Sequence, residues 1–126
     1  MTIGIKIRYP KYIFETECYN EKQIIHVQNG ILFLEEGTGI RKITSGETLI
    51  LFPKTKFKLY CEKTGYNGIS VSSFNEAFNL KSRKSIILAK DGLLEKIAEM
   101  ILLEIKNPSA YHYQIMQYYG NLYSLI

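Results

Sequence analysis

The chain has 126 residues and a formal net charge of +4, from 16 lysine and arginine residues against 12 acidic ones. Its length suits one domain, and a composition of 46% hydrophobic and 13% aromatic residues excludes a disordered protein. No run of 18 apolar residues and no signal-like start occur, so we expect a cytoplasmic protein without a membrane partner. The lysines gather around residues 54–58 and 81–84, which predicts a solvated strand edge and loop instead of a DNA-binding patch.

The first three-fifths of the chain alternates short segments rich in β-branched and aromatic residues with turn residues. Seven strands are predicted: Tyr12–Glu17, Gln23–Gln28, Ile31–Glu35, Ile40–Thr44, Thr48–Phe52, Phe57–Glu62 and Gly68–Phe74. Turns are predicted between them, among them Asn29–Gly30 and residues 64–67, where glycine and asparagine allow positive φ. This spacing predicts a closed barrel or sandwich. One helical turn at Asn75–Leu80 and a last strand at Ser85–Ala89 are expected to follow.

Two helices are predicted after residue 90. Asp91 suits the N-cap of a helix that runs to Lys106. The apolar residues on one side of that helix are Leu94, Ile97, Ala98, Ile101 and Ile105. Residues 107–109, which include a proline, end it and start a second helix that reaches the last residue. We therefore predict a single domain in which residues 1–90 form a β-barrel and residues 91–126 a helical part.

The second predicted helix carries two adjacent apolar rows. One row has the four-three spacing of a coiled-coil seam: Tyr111, Ile115, Tyr118, Leu122 and Leu125. The other row runs beside it: Met116, Tyr119, Tyr123 and Ile126. Because packing on one surface needs only one row, both rows are assigned to contacts with the barrel and with a second subunit, in a homodimer. The alternative is a wide face that is buried within one subunit. The uncapped apolar end also predicts a fragment cut before another domain.

Residue patterns that carry catalysis or bind metals are missing from the sequence. The only histidines, His26 and His112, stand alone, and each is expected to be a satisfied or surface side chain. The carboxylates in or beside turns are Glu35, Glu36 and Glu47. We expect them to be exposed, and we expect Cys18 and Cys61 to be reduced thiols. The sequence therefore predicts no catalytic residue, no metal site and no cofactor.

Two glycine-containing segments carry a resemblance to a known family. Ile24–Gly30 is followed fifteen residues later by Gly46–Pro53, and this pair resembles the cupin-type N-terminal domain of AraC-family transcription regulators. In that family a strand ends in a glycine, a hairpin follows, and a Gly-Asp/Glu turn leads into an apolar strand and a proline. The segments Leu93–Lys106 and Tyr111–Ile126 are similar to the helical pair that follows the jelly roll there. The resemblance covers roughly residues 12–126 and looks closest to members that control virulence or stress genes.

The chain departs from this family at the metal ligands of its metal-binding members. Where they carry two histidines and a glutamate, this sequence has Thr16, Glu17, Cys18, Tyr19 and then Gln23. Where they carry a histidine after the proline, it has Phe57 or Lys58. These side chains do not form a set that holds a divalent ion. The resemblance therefore implies a cupin-like barrel without a metal cofactor.

The resemblance implies a regulatory domain whose barrel senses an effector and whose last helix sets a homodimer. Family members bind sugars, fatty acids or other small molecules, and some respond to a regulatory protein. For this chain an apolar or acidic effector is expected. The predicted pocket residues are Tyr12, Phe14, Phe33, Ile50 and Arg41, the last to bind a carboxylate. The alternative is a barrel filled by its own side chains. The family's helix-turn-helix DNA-binding domain is absent, so no DNA contact is expected from this chain.

Two functions from other classes remain open on the sequence. One is a metal-free cupin enzyme such as an isomerase, which requires polar groups inside the barrel. Inward apolar positions such as Phe57, Leu59 and Cys61 argue against it. The other is a protein-docking module, in which the tyrosine-rich helix binds a different chain. The oligomeric state distinguishes the docking-module hypothesis from the regulatory-dimer hypothesis.

Overall fold

The computed structural model describes residues 2–8, 13–17, 21–52, 56–74 and 84–124. Within them the elements follow in this order: β1 (Thr2–Arg8), β2 (Ile13–Glu17), β3 (Glu21–Glu36), β4 (Gly39–Ile43), β5 (Thr48–Leu51), β6 (Lys56–Phe74), β7 (Ile86–Leu88), α1 (Gly92–Lys106) and α2 (His112–Ser124). The predicted mainly β architecture with a C-terminal helical pair is confirmed. β1 is a strand that the sequence does not predict. Tyr12, Cys18 and the predicted helical turn at Asn75–Leu80 lie outside the described residues.

Two long strands, β3 and β6, pair with each other and form the frame of the antiparallel sheet. Near one end β6 pairs with β1 and β3 pairs with β5, and β5 in turn pairs with β7. Near the other end β6 pairs with β2 and β3 pairs with β4. Because each long strand has different neighbours in its two halves, the sheet curls around a common interior.

β3 and β6 bend at the same level instead of ending in the predicted turns. Asn29–Gly30 and residues 64–67 are both predicted as turns, and both predictions are wrong, because each strand continues through them. Gly30 has a φ of 89° and Gly65 a φ of 65°, and the β3–β6 register shifts on either side of Asn29–Gly30. Positive φ thus serves a bulge in each strand, after which the ladder resumes.

The bulge in β3 changes which alternate side chains point into the interior. Before it Ile25 and Val27 are buried there, and after it Leu32 and Leu34 are. The buried interior cluster also takes in side chains of β4, β5 and β6: Ile43, Leu49, Leu51, Phe57, Leu59, Cys61 and Tyr66. All members are at most 5% exposed, so the interior formed by the described residues is a packed apolar core.

The helices pack on the outer side of the sheet. A second buried cluster joins Ile24, Ile50 and Ile69 of the strands to Ala98 and Ile101 of α1. Half-buried residues packed against it include Leu94, Ile97 and Ile105 of α1 with Met116 and Tyr119 of α2. The predicted apolar side of the first helix is therefore confirmed. So is its N-cap, since the Asp91 side chain accepts hydrogen bonds from the backbone N–H groups of Leu93 and Leu94.

One glutamate joins the two helices at their corner. Glu104 Oε1 accepts hydrogen bonds from the Ser109 backbone N–H at 3.0 Å and the Ser109 hydroxyl at 2.9 Å, and it lies 3.2 Å from His112 Nδ1. The backbone hydrogen bond from Ser109 is the largest cause of a lowered Glu104 pKa. Residues 109–111 form this corner, so α2 starts at His112, three residues later than predicted.

Candidate functional site

The predicted effector-binding residues do not meet in one cavity of the described structure. Phe33 lies between the inward-facing Leu32 and Leu34 and stacks on Tyr60, with ring centroids 5.1 Å apart. Ile50 is buried beneath the helices, in the cluster with Ile101. Tyr12 and the side chain of Phe14 lie outside the described part of the chain. Phe33 lies outside the interior cluster because the bulge in β3 reverses the alternation of side chains, on which a sequence-based assignment depends.

Arg41 is held in a polar cluster with Glu36 and Ser85. Its Nη2 donates to the Ser85 backbone carbonyl at 2.9 Å and lies 3.4 Å from Glu36 Oε1. The Ser85 backbone N–H and hydroxyl both donate to the Glu36 carboxylate. The cluster ties the β3–β4 hairpin to the residue before β7. A ligand carboxylate that binds Arg41 would therefore compete with Glu36.

A polar cavity of about 450 Å³ lies between the bulged strands and α1. Its walls come from three elements: His26, Gln28 and Asn29 of β3, Asn67 and Gly68 of β6, and Glu95, Glu99, Leu102 and Lys106 of α1. The volume lies in the range of small-molecule sites. We refer to these nine residues as the polar cavity. The polar cavity is not predicted from the sequence, because its lining residues are far apart along the chain.

His26 is the most deeply buried polar side chain of this cavity, at 2% exposure. Its Nδ1 is 3.0 Å from the hydroxyl of the fully buried Thr48. Burial disfavours the charged imidazolium and lowers the pKa of His26, while the negative charge of Glu95 acts in the opposite direction. His26 is therefore neutral at pH 7, and one of its ring nitrogens is a hydrogen-bond acceptor.

Two carboxylates and one amide oxygen of the cavity have weak protein partners or none. Glu95 Oε1 is 3.7 Å from Lys90 Nζ, and Glu99 Oε2 is 4.0 Å from Lys96 Nζ. Both lysines are about 70% exposed, so these ion pairs are weak. Asn67 Oδ1 is closed to solvent and has no hydrogen-bond partner among the described residues. The cavity thus collects acceptor groups whose hydrogen-bonding capacity the protein does not fill.

The two apolar rows of the last helix take different positions. Met116 and Tyr119 of the second row pack on the helix–sheet cluster. In the first row Tyr111 is 68% and Tyr118 63% exposed, while Ile115 and Leu122 are half-buried. The Tyr123 side chain, Leu125 and Ile126 lie outside the described residues. The described residues thus form an inner row against the barrel and an outer row toward solvent.

A groove of about 510 Å³ runs between the outer sides of α1 and α2. Its lining is Met100, Leu103, Glu104 and Asn107 of α1 with Gln114, Ile115, Tyr118 and Tyr119 of α2. Met100 is 39% and Leu103 57% exposed. Met100 and Leu103 are not among the predicted site residues. Their spacing of three, next to the buried row, indicates a second apolar side of α1. We refer to this lining as the interhelical groove.

The carboxylates considered in the sequence analysis make structural contacts. Glu35 Oε2 is 3.8 Å from Lys58 Nζ, and Glu36 belongs to the Arg41 cluster. Glu47 Oε1 accepts hydrogen bonds from the backbone N–H and hydroxyl of Thr44. Within the described ranges no three His, Cys, Asp or Glu residues come together as a metal site would require. No described helix combines the length and the apolar character needed to cross a bilayer.

Comparisons with known proteins show similarity in structure but not in sequence. No known family matches the sequence, and neither does any curated protein. ToxT from Vibrio cholerae O395 has a TM-score of 0.64 at 11% identity over 99% of this chain. A Pseudomonas syringae pv. tomato protein of unknown function from the DUF861 family has a TM-score of 0.57 at 17% identity over 69% of it. A cupin-2 domain protein from Shewanella frigidimarina has a TM-score of 0.51 at 11% identity over 58%.

The chain spans only part of these structures. It covers 55% of ToxT, 35% of the Pseudomonas protein and 69% of the Shewanella protein. At such low identities the likeness concerns the arrangement of the backbone. The AraC-family regulator ToxT matches across barrel and helices together, while the other two match over part of the chain. The chain therefore has a cupin-like fold that is followed by two C-terminal helices.

Proposed function

We propose that this chain is the effector-sensing and dimerisation domain of an AraC-type transcription regulator. The observation that carries the proposal is the division of α2 into an inner row, packed on the barrel, and an outer row of exposed tyrosines beside an apolar groove. The match with ToxT over both parts of the chain supports it. DNA binding would belong to another part of a longer protein.

The outer row supports association between two copies of the chain. Tyr118 exposes 63% of its surface next to Leu103 at 57%, and the interhelical groove lies between them. A tyrosine ring buries a large apolar area while its hydroxyl keeps a polar contact, which suits a helix that pairs with its own copy. In a two-fold dimer the outer row of one copy would lie in the groove of the other. The same surface would serve a docking module, so the partner has to be measured.

An apolar acid is the effector class that we propose, bound with its carboxylate at Arg41 and not within the packed core. ToxT structures hold (E)-4-(8-methylnaphthalen-1-yl)but-3-enoic acid in one case and an unsaturated fatty acid in another. Both ligands join an apolar body to a carboxylate. In this chain Arg41 is the predicted carboxylate partner, and an effector would replace Glu36 as its acceptor. Effector binding would then act on the hairpin and β7, and through the sheet on the helices that set the dimer.

We propose no catalytic role for the chain. Glu35, Glu36 and Glu47 are taken up by contacts with a lysine, an arginine cluster and a turn, respectively. The members of the buried interior cluster are apolar, apart from the thiol of Cys61 and the hydroxyl of Tyr66. A metal-free isomerase would need polar groups inside the barrel to bind and move protons of its substrate. The packed apolar cluster therefore argues against an isomerase.

The dimer is tested by size-exclusion chromatography with light scattering over a wide concentration range. Tyr118→Glu would place a charge in the interface twice per dimer, and we expect the dissociation constant to rise by a factor of about 100 or more. Tyr113→Glu is the matched control, since Tyr113 is 72% exposed on the same helix and does not line the groove. A monomeric wild-type chain, or equal effects of the two variants, would refute the dimer.

The effector is tested with oleate and its methyl ester as probes. We expect oleate to bind, the ester to bind more weakly, and Arg41→Gln to remove this difference. Lys42→Gln is the control, because Lys42 is exposed on the neighbouring position of the same strand. Binding is followed by intrinsic tyrosine fluorescence, with a melting curve for each variant to exclude unfolding. If both probes bind equally to the wild-type chain, the carboxylate has no role and the assignment of Arg41 fails.

A further inference from the structure

The polar cavity lies apart from both surfaces on which the proposed function depends. Arg41 and the outer row of α2 are not part of its lining, which comes from β3, β6 and α1. It is on the outer side of the sheet, where His26 sits next to Ile24 of the helix–sheet cluster. An inference from this cavity therefore stands independently of dimerisation and of an effector in the barrel.

The helical wall of the cavity is a single row of side chains. Glu95, Glu99, Leu102 and Lys106 follow one another at spacings of four, three and four, so they share one side of α1. This row adjoins the buried row of Ala98 and Ile101, which fixes its distance from the sheet. The charges are ordered along it, with the two carboxylates toward the N-terminal end and Lys106 at the C-terminal end. Leu102 provides an apolar surface between them.

The strand wall of the cavity is made by the bulge. Around the register shift between Val27 and Asn29, β3 presents His26, Gln28 and Asn29 to the same space as Asn67 of β6. Gly68 allows close approach of the strands, because a Cβ there would lie 2.2 Å from the His26 carbonyl oxygen. The strand wall thus holds one imidazole and three amide side chains.

The carboxylate end of the cavity is built of hydrogen-bond acceptors. Glu95 lies close to the turn at Gly46, where a Cβ would lie 2.8 Å from its Oε1. The described hydrogen bond of His26 runs through Nδ1 to Thr48, which leaves Nε2 as the acceptor when Nδ1 carries the proton. With the Glu99 carboxylate these groups supply three acceptors. A primary ammonium has three N–H donors and matches this set.

We propose that the polar cavity binds a small amino-carboxylate, with its ammonium group at Glu95, Glu99 and His26 and its carboxylate toward Lys106. Lys106 is seven positions after Glu99, which is about 10 Å along the helix axis, and the flexible lysine shortens that span. The two carboxylates outweigh the lysine, so the ammonium end provides most of the selectivity. The amide group of Asn29 is a further polar group that such a ligand would meet, whereas Asn67 Oδ1 is closed to solvent.

The test is a titration of the chain with three probes that share a six-carbon chain, followed by amide chemical shifts. We expect 6-aminohexanoate to bind with a dissociation constant of roughly 1 mM or below, hexylamine to bind more weakly, and hexanoate not to bind. The shifted signals should belong to residues 26–29, 67–68 and 95–106. Hexanoate or hexylamine binding as tightly as 6-aminohexanoate would overturn the proposal, as would shifts outside the cavity or none at all.

Two charge-matched variants locate the ammonium group. Glu99→Gln should weaken 6-aminohexanoate by a factor of about ten, since one charge-assisted hydrogen bond is lost. Glu99 is 63% exposed, so the fold should tolerate the change. Glu35→Gln removes the same charge from a 41% exposed residue outside the cavity, and it should leave binding unchanged. Equal weakening in both variants would mean that the net charge of the protein, and not this site, attracts the probe.

Discussion

Replacing Ile101 with alanine tests whether α1 is an integral part of the barrel domain. Ile101 is fully buried between the sheet and the helices, in contact with the cluster of Ile24, Ile50 and Ile69. The substitution removes three carbon atoms, worth about 2.4 kcal/mol at about 0.8 kcal/mol for each. The cavity left behind adds to this loss, and isoleucine-to-alanine changes in cores commonly cost about 2–5 kcal/mol. We expect a loss of about 3 kcal/mol in the free energy of unfolding.

The assay is urea unfolding at a fixed protein concentration, because association would change the apparent stability. With a urea dependence of about 1.5 kcal/mol per molar, the expected loss lowers the midpoint by roughly 2 M. Leu103→Ala is the control on the same helix. Leu103 is 57% exposed in the interhelical groove, so this change should cost less than about 0.5 kcal/mol.

A loss below about 1 kcal/mol for Ile101→Ala would refute the packing described for α1. Equal losses for the two variants would also do so, since they would show that neither side of the helix is preferentially buried. Either result would remove the support of the polar cavity and of the outer row together, because both depend on the way α1 sits on the sheet.

Three further predictions concern the bulge, the helix cap and the buried histidine. Gly30→Ala should cost more than about 3 kcal/mol in thermal unfolding, since a Cβ would lie 2.3 Å from the Gly65 carbonyl oxygen, whereas Gly37→Ala, with no atom within 4 Å, should cost about 1 kcal/mol. Asp91→Ala should cost about 1 kcal/mol by urea unfolding, and Asp91→Asn clearly less, if the cap is correct. The lowered His26 pKa means that, near and below pH 6.5, the folded chain binds fewer protons than the unfolded chain. The contribution of neutral His26 to the free energy of unfolding is therefore present above pH 6.5 and is lost as the pH falls below it. The urea midpoint should thus drop between about pH 7.5 and pH 5, and His26→Gln should reduce that drop; an unchanged drop would contradict this role.

The helical part could be predicted from the sequence because its signals are local. The N-cap at Asp91 and the apolar row through Ile101 are read from neighbours within a few turns of one helix. The two rows of the last helix are offset by one residue, about 100°, and the structure places Met116 against the barrel while Tyr118 faces solvent. The sequence pattern predicts that a second copy of the chain covers Tyr118.

The strands were harder to predict because their pairing is not local. Asn29–Gly30 has the residues of a two-residue hairpin turn, and only the opposite bend at Gly65 turns it into a bulge within a continuous strand. Alternation along Ile31–Leu34 then gives no correct inward assignment without knowledge of that bulge. The structure places the predicted pocket residues Phe33 and Ile50 outside the interior cluster.

The same bulge explains why the polar cavity escapes a reading of the sequence. His26 is a lone histidine in the sequence, and by itself it favours a satisfied side chain. In the fold His26 lies between Thr48 on one side and the cavity wall of Asn67 and Glu95 on the other. These three neighbours belong to β5, β6 and α1, respectively. The bulge keeps the interior apolar by reversing the inward alternation after Val27, and on the outer side it turns polar side chains toward α1. A packed interior and a polar outer cavity therefore lie on the two sides of one backbone irregularity, and the polar groups gather beside the core without disturbing it.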